Sequence, residues 1–539
     1  MTLEEQFYNA CANGNVDDVK QLLLNNKQIN INWQDSWKTT PFYIACYNGR
    51  IEVVKVLLDD ERVDINKVDK HNQTPFYIAC GLGHIEVVKL LLTVKRIDVN
   101  KANNDSETPF SAACNKEHIE IVKLLLNDQR VDINKANKEG QSPLYLTCDK
   151  EQIEIINLLL NNERVDVNKA INNGSTPFYI VCQKGHIEIV KMLLNDQRVD
   201  INKADKHNQT PFFVACEKGH IEIIKLLLND KRIDVNKQAQ FTVSFFEIKD
   251  GGTPFFVTCY KGHIEIVKLL LKDERIDVNK ENKNKTSPFF IACDYGHVEI
   301  VKLLLIDERI DTIKSNVNHW TPLYISCYGG KVQIVKYLLA SGRKLNLNIK
   351  NYDRKTAIDI ARENEKGGKS ILESDEMFQQ RKRNGATIVR LLESFQKNPR
   401  EVRFKQLLNG GEKNSKFTFV FLFTFFFLAN NLLTIRKKQL EIYTLFRTSI
   451  EFGKNENISI LKRAAIFIGI EPSYFLPLNA KSQNEITHLF FRNLNLDSVP
   501  ISFENFENLI HLDLSKNSFT QIPKTIGNFF FFFYAFFFF

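Results

Sequence analysis

Ten cysteines fall in a single register along this chain: Cys11, Cys46, Cys80, Cys114, Cys148, Cys182, Cys216, Cys259, Cys293 and Cys327. Their spacings are 35 residues, then 34 five times, then 43, 34 and 34. Cysteines placed for chemistry do not recur at a fixed period. The same slot in stacked copies of one module does, so the chain is expected to be a repeat array.

The words around each cysteine recur with it. Thr74-Pro75-Phe76-Tyr77-Ile78-Ala79-Cys80 leads to Gly83-His84 and then Ile85 to Leu92; Thr176 to Cys182, Gly185-His186 and the run to Leu194 repeat the pattern. Prolines 41, 75, 109, 143, 177, 211, 254, 288 and 322 mark nine clear copies. Gln6 to Cys11 belongs to an opening copy without proline, and Thr356 to Ala361 opens a degraded last one, giving about eleven repeats up to roughly residue 400.

Each copy predicts a helix pair. Thr74 can cap a helix whose first position is Pro75, where a missing N–H costs nothing. Gly83 can end it in a left-handed conformation. Ile85, Val88, Leu91 and Leu92 recur at helical spacing and predict a second helix with one apolar face. Arg96 to Glu107, rich in Asn and Asp, predicts a connecting finger. One such pair cannot bury its apolar face, so stacking into a solenoid is expected.

The unit resembles the ankyrin repeat, whose period is about 33 residues and whose signature is T-P-L-H-x-A. Thr74, Pro75 and Ala79 match. Phe-Tyr (Phe42-Tyr43, Phe178-Tyr179) or Phe-Phe (Phe212-Phe213, Phe289-Phe290) replaces Leu-His, and Cys stands where the family often has Ala. Stretches such as Asn127-Asp128-Gln129-Arg130 have room for the extra residue. The resemblance implies an all-α-dominated helix-pair solenoid with finger loops over residues 1–408. It also implies a non-enzymatic scaffold that binds a protein partner through finger tips and concave face, with no cofactor. Such frameworks recognise many unrelated proteins, so the partner stays unnamed.

Composition narrows the class further. With 72 basic and 64 acidic residues, the net charge of +8 gives no argument for nucleic acid. Met1 to Gln6 has neither a basic start nor an apolar run, so no secretory leader is expected there. A cytoplasmic monomer is the expectation, with the nucleus second; the basic triplet Arg381-Lys382-Arg383 is too short to decide it, and Asn72-Gln73-Thr74 has no meaning as a glycosylation acceptor without secretion.

Several motifs have plainer explanations than chemistry. Helices pack about 8–10 Å apart, and a disulfide needs Cα atoms within about 7 Å, so equivalent cysteines are expected to stay reduced and buried. The pairs Cys80/His84, Cys114/His118, Cys182/His186, Cys216/His220, Cys259/His263 and Cys293/His297 supply two ligands each where structural zinc takes four. These histidines are expected to cap and pack the helix that follows. Gly367-Gly368-Lys369-Ser370 lacks the earlier glycine of a phosphate loop, Glu363 standing in its place. Glu86/Lys89, Glu120/Lys123, Glu188/Lys191, Glu222/Lys225 and Glu265/Lys268 are surface pairs three residues apart.

Function in an array lies where copies differ. The 43-residue step carries a finger, 238–252, nine residues longer than its counterparts. Phe241, Val243 and Phe245 alternate along it, and Phe241, Phe245 and Phe246 are candidate partner anchors. A tolerated insertion folding back on the stack is the alternative. Trp37 and Trp320, in two other fingers, are further candidates.

The last quarter differs in kind. Residues 386–408 read as closing helices, followed by a linker, 409–480, holding the Phe-rich segment 417–434. That segment opens with 13 apolar-dominated residues, Phe417 to Ala429, short of the roughly 20 that span a bilayer. Residues 481–527 resemble two leucine-rich units: Leu489 to Pro500 aligns with Leu512 to Pro523 at an offset of 23. Phe529 to Phe539 has no sensible soluble fold and reads as a mistranslated or misassembled end, which transcript sequencing checks. Two other functions stay open: an adaptor tethered to a membrane by 417–434, and the regulatory arm of a longer enzyme.

Overall fold

A computed structural model describes residues 1–240, 251–370, 373–399, 488–490 and 511–513. Among these lie 22 helices, forming eleven consecutive pairs, and two three-residue strands. The chain divides into two compact units, Met1–Ile300 and Val301–Phe539, the division falling inside the helix Val298–Ile306.

In the first unit each repeat is built as its residues dictate. Thr74 caps the helix Pro75–Leu82, its Oγ1 accepting the Tyr77 N–H at 3.0 Å, and Gly83 closes it at φ 83°. The same Thr-Pro or Ser-Pro start recurs at all nine proline-marked first helices. The second helix, Ile85–Leu92, buries Val87, Val88 and Leu91. This differs from the predicted stripe: Val87 is buried, and Ile85 and Leu92 are only half-buried. The reason is that this helix packs on two sides, against its own first helix and against the second helices of the neighbouring repeats. First helices pack in turn on first helices, Pro75–Leu82 against both Pro41–Tyr47 and Pro109–Asn115. Nine cysteines sit in this core, and Cys327 in that of the second unit, as fully buried thiols outside any disulfide.

The fingers are Asx-stabilised turns. The Asp69 carboxylate accepts the N–H groups of His71 and Gln73 at 2.9 and 2.8 Å, and Asn103 and Asn137 do the same in their own fingers. Six successive fingers also bond the one before through the backbone. Lys70 N–H donates to Trp37 O, Asn104 to His71, Lys138 to Asp105, Asn172 to Glu139, Lys206 to Asn173 and Gln240 to His207, at 2.7–3.0 Å. Ile97 and Val99 are buried beneath the finger, and its tip residues Asn104 and Asp105 are exposed.

Where a repeat lacks the closing glycine, the backbone keeps the left-handed turn regardless. Glu117 takes φ 63° at the position that Gly83 and Gly185 occupy at 83° and 87°. Glu117→Gly is expected to raise stability by about 0.5–1 kcal/mol in urea unfolding, because the Cβ penalty of that conformation is removed. An unchanged or lowered midpoint would show that the turn carries no strain.

The second unit continues the helix pairs with Pro322–Tyr328 and Val332–Ala340, then Ala357–Lys366 packed on Asp375–Lys397. The closing helix therefore starts at 375, not 386, because Ser374 caps it by accepting the Met377 N–H at 3.2 Å. Gly367 to Ser370 lies in the loop before it, where Lys369 pairs with Asp375 at 2.6 Å. The strands His488–Phe490 and His511–Asp513 pair in parallel, His488 opposite His511, at an offset of 23 residues. Segment 417–434 and the Phe-rich end lie outside the described residues. Among the described residues no helix is long and apolar enough to cross a membrane.

Candidate interaction surface

Most recurrent polar residues hold the framework. His84 Nε2 bonds Tyr47 O at 2.7 Å, and His118, His220, His263 and His297 reach Gly81, Gln183, Glu217 and Tyr260 carbonyls at 2.8–3.0 Å. Each histidine thus satisfies the end of the preceding repeat's first helix. It makes no cap for the helix that follows it, contrary to expectation. The glycine beneath explains the geometry: a Cβ on Gly83 would stand 2.8 Å from the His118 ring. Arg130 makes a second clamp. Its guanidinium grips Asp128 at 2.7 Å and caps the preceding second helix through Leu92 O at 2.7 Å. Arg198 and Arg275 repeat this on Leu160 O and Leu228 O. The hydrogen bonds of the Asp-Arg clamp hold the carboxyls of Asp128, Asp196 and Asp273 below their ordinary range.

The tyrosines standing where the repeat signature has His link first helices to fingers. Tyr43 donates to Asp69 at 3.2 Å, Tyr77 to Glu107 at 2.6 Å and Tyr179 to Gln209 at 3.0 Å. The Glu/Lys pairs lie exposed on the second helices at 2.6–2.7 Å.

The finger tips remain as surface. Trp37 is 56% exposed, with the Lys70 ammonium 2.8 Å above its ring centroid. Trp320 is half-buried, leaning on Tyr324 and Tyr328 at 5.4 and 5.5 Å. Phe241, Phe245 and Phe246 lie outside the described residues. The base of their finger is described: Ala239 and Gly252 exchange two backbone hydrogen bonds of 2.9 Å. They hold the same place as Asp69 and Gln73 in a plain finger, so the insertion extends a finger tip and leaves the helix pairs undisturbed. Sequence reasoning overlooked Tyr328, which meets Trp320, and the pair His319 and Tyr352 beside it in the fingers. Comparing each finger position across the copies would have found Tyr352, since its counterparts are all polar except Val317. Among the described residues no group of three or more His, Cys, Asp and Glu side chains is placed to hold a metal ion.

The profile described as "Ankyrin repeats (3 copies)" matches residues 7–103, 93–171, 162–239 and 241–316, and the single "Ankyrin repeat" profile matches 318–352. This chain belongs to the ankyrin repeat family. Among solved structures, it is similar to the ankyrin repeat domain of Bcl-3, described as a unique member of the IkappaB protein family. The two are 25% identical, with a TM-score of 0.39, over 41% of this chain and 97% of that one. Among curated proteins none matches the chain. Ankyrin repeats make a protein–protein interaction module.

Proposed function

We propose that this ankyrin chain is a non-enzymatic scaffold or adaptor that holds a protein partner through its finger tips and concave face. The observation that carries this reading is the division of labour within each repeat. His, Arg, Tyr and the Asx residues are consumed by contacts between repeats, whereas tip residues such as Trp37 are presented on a row of fingers bonded to one another. A rigid row of variable tips suits recognition, because little ordering cost falls on binding. The cytoplasm is the compartment we favour, supported by ten thiols buried in reduced form.

The test compares capture from lysate by the full chain and by the full chain with Phe241, Phe245 and Phe246 changed to Ser. A partner held by the first and lost by the second is the expected result and makes the extended finger an anchor. A partner held equally by both moves the site to the other tips. No captured partner under either condition removes the scaffold reading.

A further inference from the structure

At two finger positions the second unit carries aromatic rings where the first unit carries polar side chains or glycine. At the place of Trp320 the first unit carries Thr39, Gln73, Glu107, Gln141, Ser175, Gln209, Gly252 and Thr286. At the place of Tyr352 it carries Ser36, Lys70, Asn104, Lys138, Asn172, Lys206 and Lys283. The fold does not require aromatic rings at either place.

In the second unit the rings meet. Trp320 leans on Tyr324 and Tyr328, and His319 of the same finger meets Tyr352 of the next edge to face at 4.8 Å. The later finger is tied to the helix beneath Trp320, Asn351 donating to the Tyr324 hydroxyl at 3.0 Å. The cluster is built yet open: Tyr328 is 53% and Tyr352 70% exposed. The sequence that carries it is basic, although Glu363 lies near Tyr324 and pairs with Lys355 at 2.7 Å. Residues 311–356 hold eight basic side chains against Asp311 and Asp353, in a chain whose totals are nearly balanced. Lys350 and Arg354 flank Tyr352 and are exposed, and Lys331 follows Tyr328 by three residues.

We propose that this face docks an extended acidic peptide segment of a partner protein, one apolar side chain seated on Trp320, Tyr328 and Tyr352 and its carboxylates on Lys331, Lys350 and Arg354. The aromatic platform supplies buried area at low entropy cost, and the basic rim selects acidic over basic segments. The proposal rests on the scaffold reading and names the partner chemistry for one of its surfaces.

The test selects peptides of about twelve residues from a random display library on the full chain at low salt. Enriched peptides are expected to be acidic with a Phe, Trp, Leu or Ile. Their affinity should fall more than about tenfold for the double variant Lys350→Glu, Arg354→Glu and for Tyr352→Ala, and fall as salt rises. Lys350, Arg354 and Tyr352 are exposed, so thermal unfolding of these variants should match the parent, which separates lost docking from lost fold. Enriched peptides without net negative charge, acidic peptides held equally by the variants, or no enrichment would each overturn the proposal. So would sedimentation showing a dimer that Tyr352→Ala dissolves, since a second copy would then be the occupant. Loss of peptide docking in the parent, with lysate capture still dependent on Phe241, Phe245 and Phe246, removes this site and leaves the scaffold reading standing.

Discussion

Between about pH 9 and pH 11 the first unit is expected to unfold in one steep transition, while near pH 8 its thiols stay closed to alkylating reagents. Burial raises the pKa of Cys11, Cys46, Cys80, Cys114, Cys148, Cys182, Cys216 and Cys259 above the ordinary thiol range. The sign of the linkage follows from that direction. Below the unfolded thiol pKa of about 8.5 both states keep their protons and stability is complete. Above it the unfolded chain releases protons that the folded chain retains, so stability falls as pH rises. Eight thiols titrating together give a slope of up to about 11 kcal/mol per pH unit, comparable to the whole stability of an ordinary domain. Tyr145, pushed up to about 12 mainly by burial, adds to the same trend at higher pH. Circular dichroism against pH, with iodoacetamide labelling at each point, checks this: labelling and loss of helix should coincide. Labelling of several thiols at pH 8 with helicity intact would sink the idea, as would a helical signal unchanged at pH 11.

Phe212→Ala is expected to cost about 3–5 kcal/mol and to split the unfolding of the first unit into two transitions. Phe212 is fully buried in the helix Pro211–Lys218, which packs on Pro177–Lys184 to one side and Pro254–Lys261 to the other. Truncating it weakens both interfaces at an interior position of a linear stack, so the repeats before and after it lose their mutual support. Phe7→Ala removes an equally buried ring from the terminal helix Leu3–Asn13, where only one side has a neighbouring repeat. It should therefore fray the first repeats without dividing the unit. Urea unfolding followed by hydrogen exchange separates the two cases. A single transition of unchanged steepness in Phe212→Ala, shifted no further than in Phe7→Ala, would show that the stack is one cooperative block.

Local signals made the helix pairs legible. Thr-Pro starts, glycine stops and the apolar run after Gly83-His84 each act within a few residues, so the chain alone contains them. The contacts between copies were harder to read. His118 looked like a cap for its own helix because the two are adjacent in sequence, yet its ring reaches Gly81 O, 37 residues earlier. Arg130 filled a spare position in the pattern until the stack brought Leu92 O within its reach. The aromatic cluster was half visible: Trp320 stood out by residue type, but its meeting with Tyr328 and of His319 with Tyr352 depends on how one finger sits beside the next. The closing helix was placed too late because Ser374 caps a polar first turn, before the apolar spacing begins.

The direction of the bonds between repeats carries a consequence for how the protein is made. His118 donates back to Gly81, Arg130 to Leu92, and the Asn104 backbone to His71, so the donor belongs to the later copy and the acceptor to the earlier one. Some side chains donate the other way, Tyr77 to Glu107 and Asn72 to Ala102 O, and Asn66 bridges in both senses, donating to Arg96 O and accepting from the Asp98 N–H. A chain leaving the ribosome N-terminus first thus exposes a set of carbonyls at its growing end, and each copy that follows arrives with the groups that cover them. Synthesis and stacking proceed in the same sense, like a zip whose slider moves one way, and at no stage need the nascent chain wait for its C-terminus before the finished part is sound.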